Sequence, residues 1–183
     1  MEVKGAAIVP MEKFITENFG EESYALWFDS LSQEAKEVYK APFSAFWYPM
    51  KEILIDPTEK ICEILYEGNI KGAWECGRFS AQHALKGIYK IFIKFGSPGF
   101  LLSKASTILP QYYKPSDIKI LNSEKNSATM QMMFEESYNV LEYRIGGWIE
   151  AALEISGCKN VSVKINSSLA KGDEATEYSA SWE

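Results

Sequence analysis

Apolar residues recur at helical spacing from Asn69 to Phe95, and this stretch organises the prediction for the whole chain. The stripe consists of Ala73, Cys76, Gly77, Ser80, Ala81, Ala84, Ile88, Ile91, Phe92 and Phe95. Small residues fill its first half and large residues its second half. Because small residues allow another backbone or a flat ligand to approach closely, the stretch predicts a central helix on which other elements pack.

Helix start and stop signals predict a largely helical first half. Pro10 favours a helix start and Gly20 a helix end, which predicts a first helix over Met11–Phe19. Further helices are predicted over 21–31, from Ser32 onward, over 50–55, 58–66 and 99–109. The apolar segment Val3–Val9 predicts an edge strand, and the aromatic stretch 43–48 between two prolines predicts a connection.

The pattern changes to alternation in the second half. Segments 116–121 and 128–134 alternate around the polar turn NSEKNS, which predicts an antiparallel hairpin. Asn139–Ile155 predicts a long helix closed by Gly157, and two more alternating segments, 161–165 and 178–182, follow. This order is β-β-α-β-β. The sequence therefore predicts an α+β fold with a helical layer packed on a small antiparallel sheet.

Composition and charge narrow the classes of function. The 183 residues contain no Pro/Gly/Ser-rich linker, so a single domain over 1–183 is expected. The net charge of −6, with both signs interspersed, disfavours nucleic acid and anionic membrane surfaces as partners. No apolar run is long enough to span a bilayer, and no signal peptide is evident. Three cysteines, odd in number and far apart, favour a reducing cytoplasm.

Two residues of the central helix carry candidate chemistry. His83 is the only histidine and is a candidate haem or metal ligand, although an ordinary helix position is the simpler interpretation. The Cys76 thiol, with Arg78 near it in sequence, is a candidate nucleophile or acylation site. A small buried residue is the favoured alternative for Cys76. The cysteines and His83 lack the spacing of a zinc site, so no metal site is predicted.

Other residues suggest a pocket rather than a reaction. Arg78 interrupts an apolar segment, where it either anchors an anionic ligand or pairs with a glutamate such as Glu75. Met130 and Met132 lie in a Met-rich strand, which is typical of adaptable pockets and of ordinary cores. Gly146-Gly147-Trp148 forms a notch with an aromatic wall, for which tight helix-on-sheet packing is the simpler explanation. No nucleophile–base or paired-carboxylate arrangement is present, so no enzyme activity is predicted.

The order of these motifs resembles a known superfamily. A helix containing G-x-x-x-C-G-R is followed by G-S-P-G, and the β-β-α-β-β tail contains N-S-S-L-A-K-G and closes on Trp182. The chain resembles the superfamily of 4-vinyl-reductase domains, small TRAPP subunits and haem-nitric-oxide-binding (H-NOX) sensors. Within it, the chain is most similar to a bacterial group, of myxobacterial type, related to the 4-vinyl-reductase domains.

The resemblance implies a pocket between helices and sheet for an apolar or flat ligand, such as haem in the sensors or an acyl chain in a TRAPP subunit. Two departures disfavour haem or a metal. The Tyr-x-Ser-x-Arg motif of the haem sensors is absent, since residues 178–181 read Tyr-Ser-Ala-Ser. The cysteine that 4-vinyl-reductase domains often place in the last hairpin is also absent from residues 175–178.

The leading hypothesis is a non-enzymatic sensory or binding domain for a small hydrophobic molecule, without a cofactor. Its predicted pocket residues are Trp74, Cys76, Gly77, Arg78, Ala81, Met130, Met132 and Trp148. One alternative is a scaffold subunit that acts as a homodimer with a filled core. The other is a haem-based gas sensor that uses His83.

Overall fold

Helices make up most of the first half. The structure is a computed structural model that describes residues 1–85 and 107–183. Within these ranges the α-helices are α1 (Pro10–Phe19), α2 (Glu21–Asp29), α3 (Gln33–Lys40), α4 (Asp56–Leu65), α5 (Lys71–Leu85) and α6 (Asn139–Ile155). A 3-10 turn covers Gly5–Ala7 and a π-helical turn covers Lys51–Ile55. The predicted second half of the central helix and most of the predicted helix over 99–109 lie outside the described residues.

A three-stranded antiparallel sheet joins distant parts of the chain. It consists of β1 (Glu2–Lys4), β2 (Trp47–Pro49) and β3 (Tyr113–Lys114), in the order β2-β1-β3. The predicted edge strand over Val3–Val9 is thus wrong in two respects. The strand is only three residues long and it is central, because β2 and β3 cover both its edges. Strands of two or three residues are too short to show alternation, which is why the pattern of 43–48 predicts a connection where β2 begins.

The β-β-α-β-β order of the second half is confirmed. The strands β4 (Ser116–Ser123), β5 (Ser127–Phe134), β6 (Ser162–Ser167) and β7 (Thr176–Ser181) form an antiparallel sheet in the order β4-β5-β7-β6. Helix α6 packs against α5 on one side and against β6 and β7 on the other. The α+β class with helices on an antiparallel sheet is therefore confirmed.

The hydrophobic core of the described parts consists of one large cluster and a small second cluster where the ends of α5 and α6 meet. One buried cluster extends from Val3 in the small sheet to Trp182 at the end of the chain. It places α6 in the interior, since eleven residues of this helix are buried. Along residues 1–85 and 107–183, no helix has the length and apolar character needed to cross a membrane.

Candidate functional site

The small residues of α5 face α6 rather than a ligand. A Cβ on Gly77 would collide with the Arg144 carbonyl group, 2.8 Å from its carbon, and would lie 3.0 Å from the Trp148 nitrogen. A Cβ on Gly147 would likewise lie 2.8 Å from the Trp74 carbonyl carbon. The two backbones therefore touch at both glycines. The expectation of helix-on-sheet packing for Gly146-Gly147 is corrected, because the partner is helix α5.

Arg78 is paired with acidic residues of α6. Its Nη2 donates to Glu154 Oε2 at 2.7 Å, and its Nη1 donates to Glu150 Oε2. The same oxygen of Glu150 accepts the Trp74 indole N–H at 2.8 Å. Of the two expectations for Arg78, pairing with glutamates is the one that the structure shows. These contacts hold α5 and α6 together at the half-buried rim of their crossing.

Arg144, on the inner face of α6, is a buried arginine that pairs with no carboxylate among the described residues. Its side chain is 1% exposed. Nη2 donates to the Ala7 carbonyl oxygen at 2.8 Å and to Ser80 Oγ at 3.0 Å. Nε and Nη1 are buried and have no partner of hydrogen-bond geometry in the described parts of the chain, although the Cys76 thiol and the Tyr113 hydroxyl lie near the guanidinium. A buried charge with unmet donors is costly and is a common mark of a functional site.

A small cavity lies near Arg144, although Arg144 itself does not line it. Its volume is about 20 Å³, enough for one water-sized group. The lining residues are Ala6, Ala7, Ser80, Ala84, Ile108, Leu109, Tyr112, Tyr113, Ile145 and Trp148. Two of them, Ala7 and Ser80, carry the oxygen atoms to which Arg144 donates. The cavity is far smaller than the ~300 Å³ of a typical organic-ligand pocket, so it suits one small group.

A larger groove between α3 and α4 is a weaker candidate. It has a volume of about 310 Å³ and is lined by charged residues that include Glu52, Asp56, Glu59 and Lys60. Asp56 pairs with Lys51 at 2.7 Å, and Lys60 pairs with Glu63 at 2.7 Å. Asp56 and Lys60 are thus paired at the surface, where ion pairs contribute little to binding or stability.

The predicted pocket residues lie in four places. Trp148 lines the cavity, and Cys76 lies near Arg144 in the core. Trp74, Gly77, Arg78 and Ala81 form the contact between α5 and α6. Met130 and Met132 are buried in β5, where Met130 pairs across the sheet with Tyr178. The structure does not gather the eight residues around one cavity, and their role in binding stays a prediction.

Sequence reasoning missed Arg144, although a signal was present. Val140, Leu141, Arg144 and Ile145 follow the i, i+4 spacing of one helix face, so the arginine interrupts an apolar stripe. The residues that surround the guanidinium come from the 3-10 turn at 5–7 and from α5. Their proximity depends on tertiary packing, which the local pattern does not encode.

Cys76 is a buried thiol, as the favoured interpretation expects. It is 2% exposed, and burial raises its pKa to about 12 although the nearby Arg144 guanidinium opposes the shift. A nucleophilic thiol requires the thiolate. At neutral pH the side chain therefore remains a protonated, apolar neighbour of Arg144.

The free energy of unfolding is expected to fall at alkaline pH, because the Cys76 thiol ionises at a lower pH in the unfolded chain than in the folded one. The ordinary thiol pKa of 9.0 applies to the unfolded chain, and the folded value is about 12. The stabilisation is therefore complete below pH 9 and is lost as pH rises from 9 toward 12, at about 1.4 kcal/mol per pH unit. Urea unfolding at pH 8 and pH 10 should show a steeper loss for the wild type than for Cys76→Ala. Parallel pH profiles for the two proteins would contradict this expectation.

His83, the sole histidine, is exposed on α5. Across residues 1–85 and 107–183, no group of three or more His, Cys, Asp or Glu side chains is arranged to hold a metal ion. The segment 86–106 adds no histidine or cysteine to the candidates.

Comparison with solved structures identifies the fold. An H-NOX protein from S. oneidensis in the Fe(II)NO ligation state superposes with a TM-score of 0.76 at 14% identity, covering 98% of this chain and 99% of that one. The Fe(II) unliganded H-NOX protein from K. algicida gives a TM-score of 0.74 at 11% identity, covering 98% and 96%. The IWP-051-bound H-NOX from Shewanella woodyi gives a TM-score of 0.68 at 14% identity, covering 97% of this chain and 93% of that one.

These matches show that the chain has the H-NOX fold over almost its whole length. No protein-family model and no curated protein sequence matches the chain. The H-NOX branch of the sequence resemblance is supported at the level of fold. The 4-vinyl-reductase and TRAPP branches and the myxobacterial-type group stay predictions.

Proposed function

We propose that the chain is a non-enzymatic sensory domain that binds a small molecule at the cavity lined by Ala7, Ser80 and Trp148. The observation that carries this proposal is the cavity itself, in a chain that has the H-NOX fold. The cavity joins the 3-10 turn at 5–7, helix α5, helix α6 and residues 108–113. A ligand bound there would touch elements from both halves of the chain, as a sensor needs in order to change its shape.

The comparisons favour the haem-based gas sensor over the other relatives, since the matched structures are H-NOX proteins in Fe(II), Fe(II)NO and Fe(II)CO states. The residues of this chain do not fit a histidine-held haem. His83 is exposed rather than aimed into the core, and no second histidine exists. Cys76 is buried but keeps its proton, because burial raises its pKa to about 12. The H-NOX fold is therefore proposed to serve a different ligand here.

Native mass spectrometry followed by denaturing mass spectrometry tests the proposed site. A non-covalent mass excess is expected in the wild type. Ala6→Leu should reduce its occupancy about tenfold, because Ala6 lines the cavity and is half-buried, so leucine fills space without a large core disturbance. Ala170→Leu at an exposed position is the matched control and should bind as the wild type does. Equal ligand occupancy in the wild type, Ala6→Leu and Ala170→Leu would show that the ligand binds elsewhere.

Haem reconstitution tests the alternative. We expect no stoichiometric Soret band in the wild type after hemin is added and excess is removed, since no buried histidine is available. Any residual Soret absorbance should be the same in His83→Ala as in the wild type. A stoichiometric band that disappears in His83→Ala would establish the haem sensor and overturn the proposal.

A further inference from the structure

We infer that the chain docks a short acidic segment of a partner protein on an exposed aromatic patch. The patch consists of Phe43 and Phe46 in the loop before β2 and of Trp47 and Tyr48 in β2. None of the four lines the cavity, so the inference does not depend on a ligand there. It depends on the exposure of the rings, the fixed backbone beneath them and the lysines beside them.

Phe43 and Phe46 hold most of their side chains in water. Phe43 is 63% exposed and Phe46 is 58% exposed. Their rings stack with 5.1 Å between the centroids and 24° between the planes, and the Tyr48 ring lies 6.5 Å from that of Phe46. Contiguous exposed apolar surface commonly marks an interaction site, and aromatic residues are enriched at the centre of protein interfaces. The rings therefore offer anchor points to a partner.

The backbone beneath these rings is fixed by the end of β1. The Gly5 nitrogen donates to the Phe46 carbonyl oxygen at 2.8 Å, and the Ala6 nitrogen donates to that of Ser44 at 2.9 Å. A Cβ on Gly5 would lie 2.8 Å from the Phe43 carbonyl carbon, so the loop packs directly on this glycine. Because the loop is ordered before a partner arrives, binding costs less conformational entropy.

Two lysines give the edge of the patch a positive charge. The Nζ of Lys114 lies 4.2 Å from the centroid of the Trp47 ring, and that of Lys4 lies 5.4 Å from it. Glu2 pairs with Lys114 at 3.0 Å, whereas no carboxylate of the described residues forms an ion pair with Lys4. A partner carboxylate beside the rings would meet this free charge, and such complementarity favours an acidic partner.

The size of the patch favours a short segment over a second copy of the chain. Two exposed and two half-buried aromatic side chains offer less than the ~800 Å² that each partner buries in a standard interface. Two copies would also each carry a net charge of −6, which opposes their association. A short segment stays within about 8 Å of the lysines, a distance beyond which salt screens the other charges of the chain.

A phage-displayed library of random short peptides tests the chemistry of the partner. The library is panned on the wild type and, separately, on Phe43→Ser/Phe46→Ser. The wild type should enrich peptides that combine Asp or Glu with aromatic or large aliphatic residues, and the double variant should not. Enriched peptides without acidic residues overturn the inference. So does a set of peptides that both proteins enrich equally, or the absence of any enrichment.

The affinity of the most enriched peptide locates its site. In fluorescence anisotropy, Phe43→Ser/Phe46→Ser should raise the Kd roughly tenfold or more. Lys4→Gln should raise it by about threefold and weaken its dependence on salt. Leu26→Ser, which removes a 60% exposed side chain on α2, and Lys164→Gln, at an exposed position of β6, are the matched controls and should bind as the wild type does. Circular dichroism checks that each variant is folded.

Two further measurements address other occupants of the patch. A wild-type dimer in light scattering that becomes a monomer in Phe43→Ser/Phe46→Ser would assign the patch to a second copy of the chain. Co-sedimentation with phosphatidylserine vesicles that is lost in the same variant would assign it to a membrane surface. Either result overturns the inference, whereas a monomer that leaves the vesicles unbound agrees with it.

Discussion

Replacing Gly77 by alanine is expected to lower the free energy of unfolding by about 3 kcal/mol or more. The new Cβ would overlap the carbonyl group of Arg144, whose carbon would lie only 2.8 Å away. A backbone carbonyl cannot rotate aside as a side chain can, so the two helices must separate. Alanine has a better helix propensity than glycine by about 1 kcal/mol, but this gain is smaller than the cost of the overlap. Urea unfolding of both proteins measures the difference.

Gly146 provides a matched control for this effect. Its Cβ would meet ring atoms of Trp74 rather than backbone, and the indole lies at the half-buried rim where it can shift. Gly146→Ala should therefore lose clearly less stability than Gly77→Ala or Gly147→Ala. A Gly77→Ala protein as stable as the wild type would show that α5 and α6 do not approach as closely as the structure describes.

The second half of the fold was predictable because its signals are local. Strand β5 alternates over its eight residues and β4 over residues 116–121, and α6 has the predicted bounds of 139 and 155. The small sheet was not predictable in the same way. Strands β2 and β3 have three and two residues, and both pair with β1 from distant parts of the sequence. Such strands are defined by their partners rather than by their own pattern.

The candidate site was also hard to predict, because its contacts join residues that are far apart in the sequence. The small residues of α5 correctly indicated a close approach, but a helix backbone and a flat ligand require the same small side chains. Only the tertiary structure identifies helix α6 as the partner. Arg144 was visible as a charge in an apolar stripe, yet its acceptors lie 137 and 64 positions away in the sequence, at Ala7 and Ser80. An arginine within an apolar stripe does not reveal whether a carboxylate lies next to it in the folded chain.

Replacing Glu142 by leucine is expected to lower the free energy of unfolding by about 3–5 kcal/mol. The carboxylate is fully buried and accepts four hydrogen bonds, from the hydroxyls of Ser137, Ser168 and Thr176 and from the Ala170 nitrogen. Leucine leaves these donors buried without an acceptor. The amides of Ser168 and Ala170 should then lose protection in hydrogen exchange, because the turn between β6 and β7 is held to α6 through Glu142.

Glu142→Gln is the conservative control, since an amide of the same shape retains one oxygen acceptor and the hydroxyls can reverse their bonds. It should recover at least half of the lost stability and most of the protection at Ala170. If leucine and glutamine were equally tolerated, the carboxylate would not be the group that anchors this turn.

Glu142 and Arg144 then form a comparison within one helix. Both are buried charges, but the glutamate is fully hydrogen-bonded and the arginine is not. Removing a buried charge that is fully hydrogen-bonded leaves its donors without an acceptor. An apolar replacement for a buried charge without an ion pair is often neutral or stabilising. Arg144→Met is therefore expected to be at least as stable as the wild type in urea unfolding, in contrast to Glu142→Leu. Loss of stability in both variants would mean that Arg144, like Glu142, is a structural residue, whereas opposite signs would show that the charge of Arg144 does not stabilise the fold.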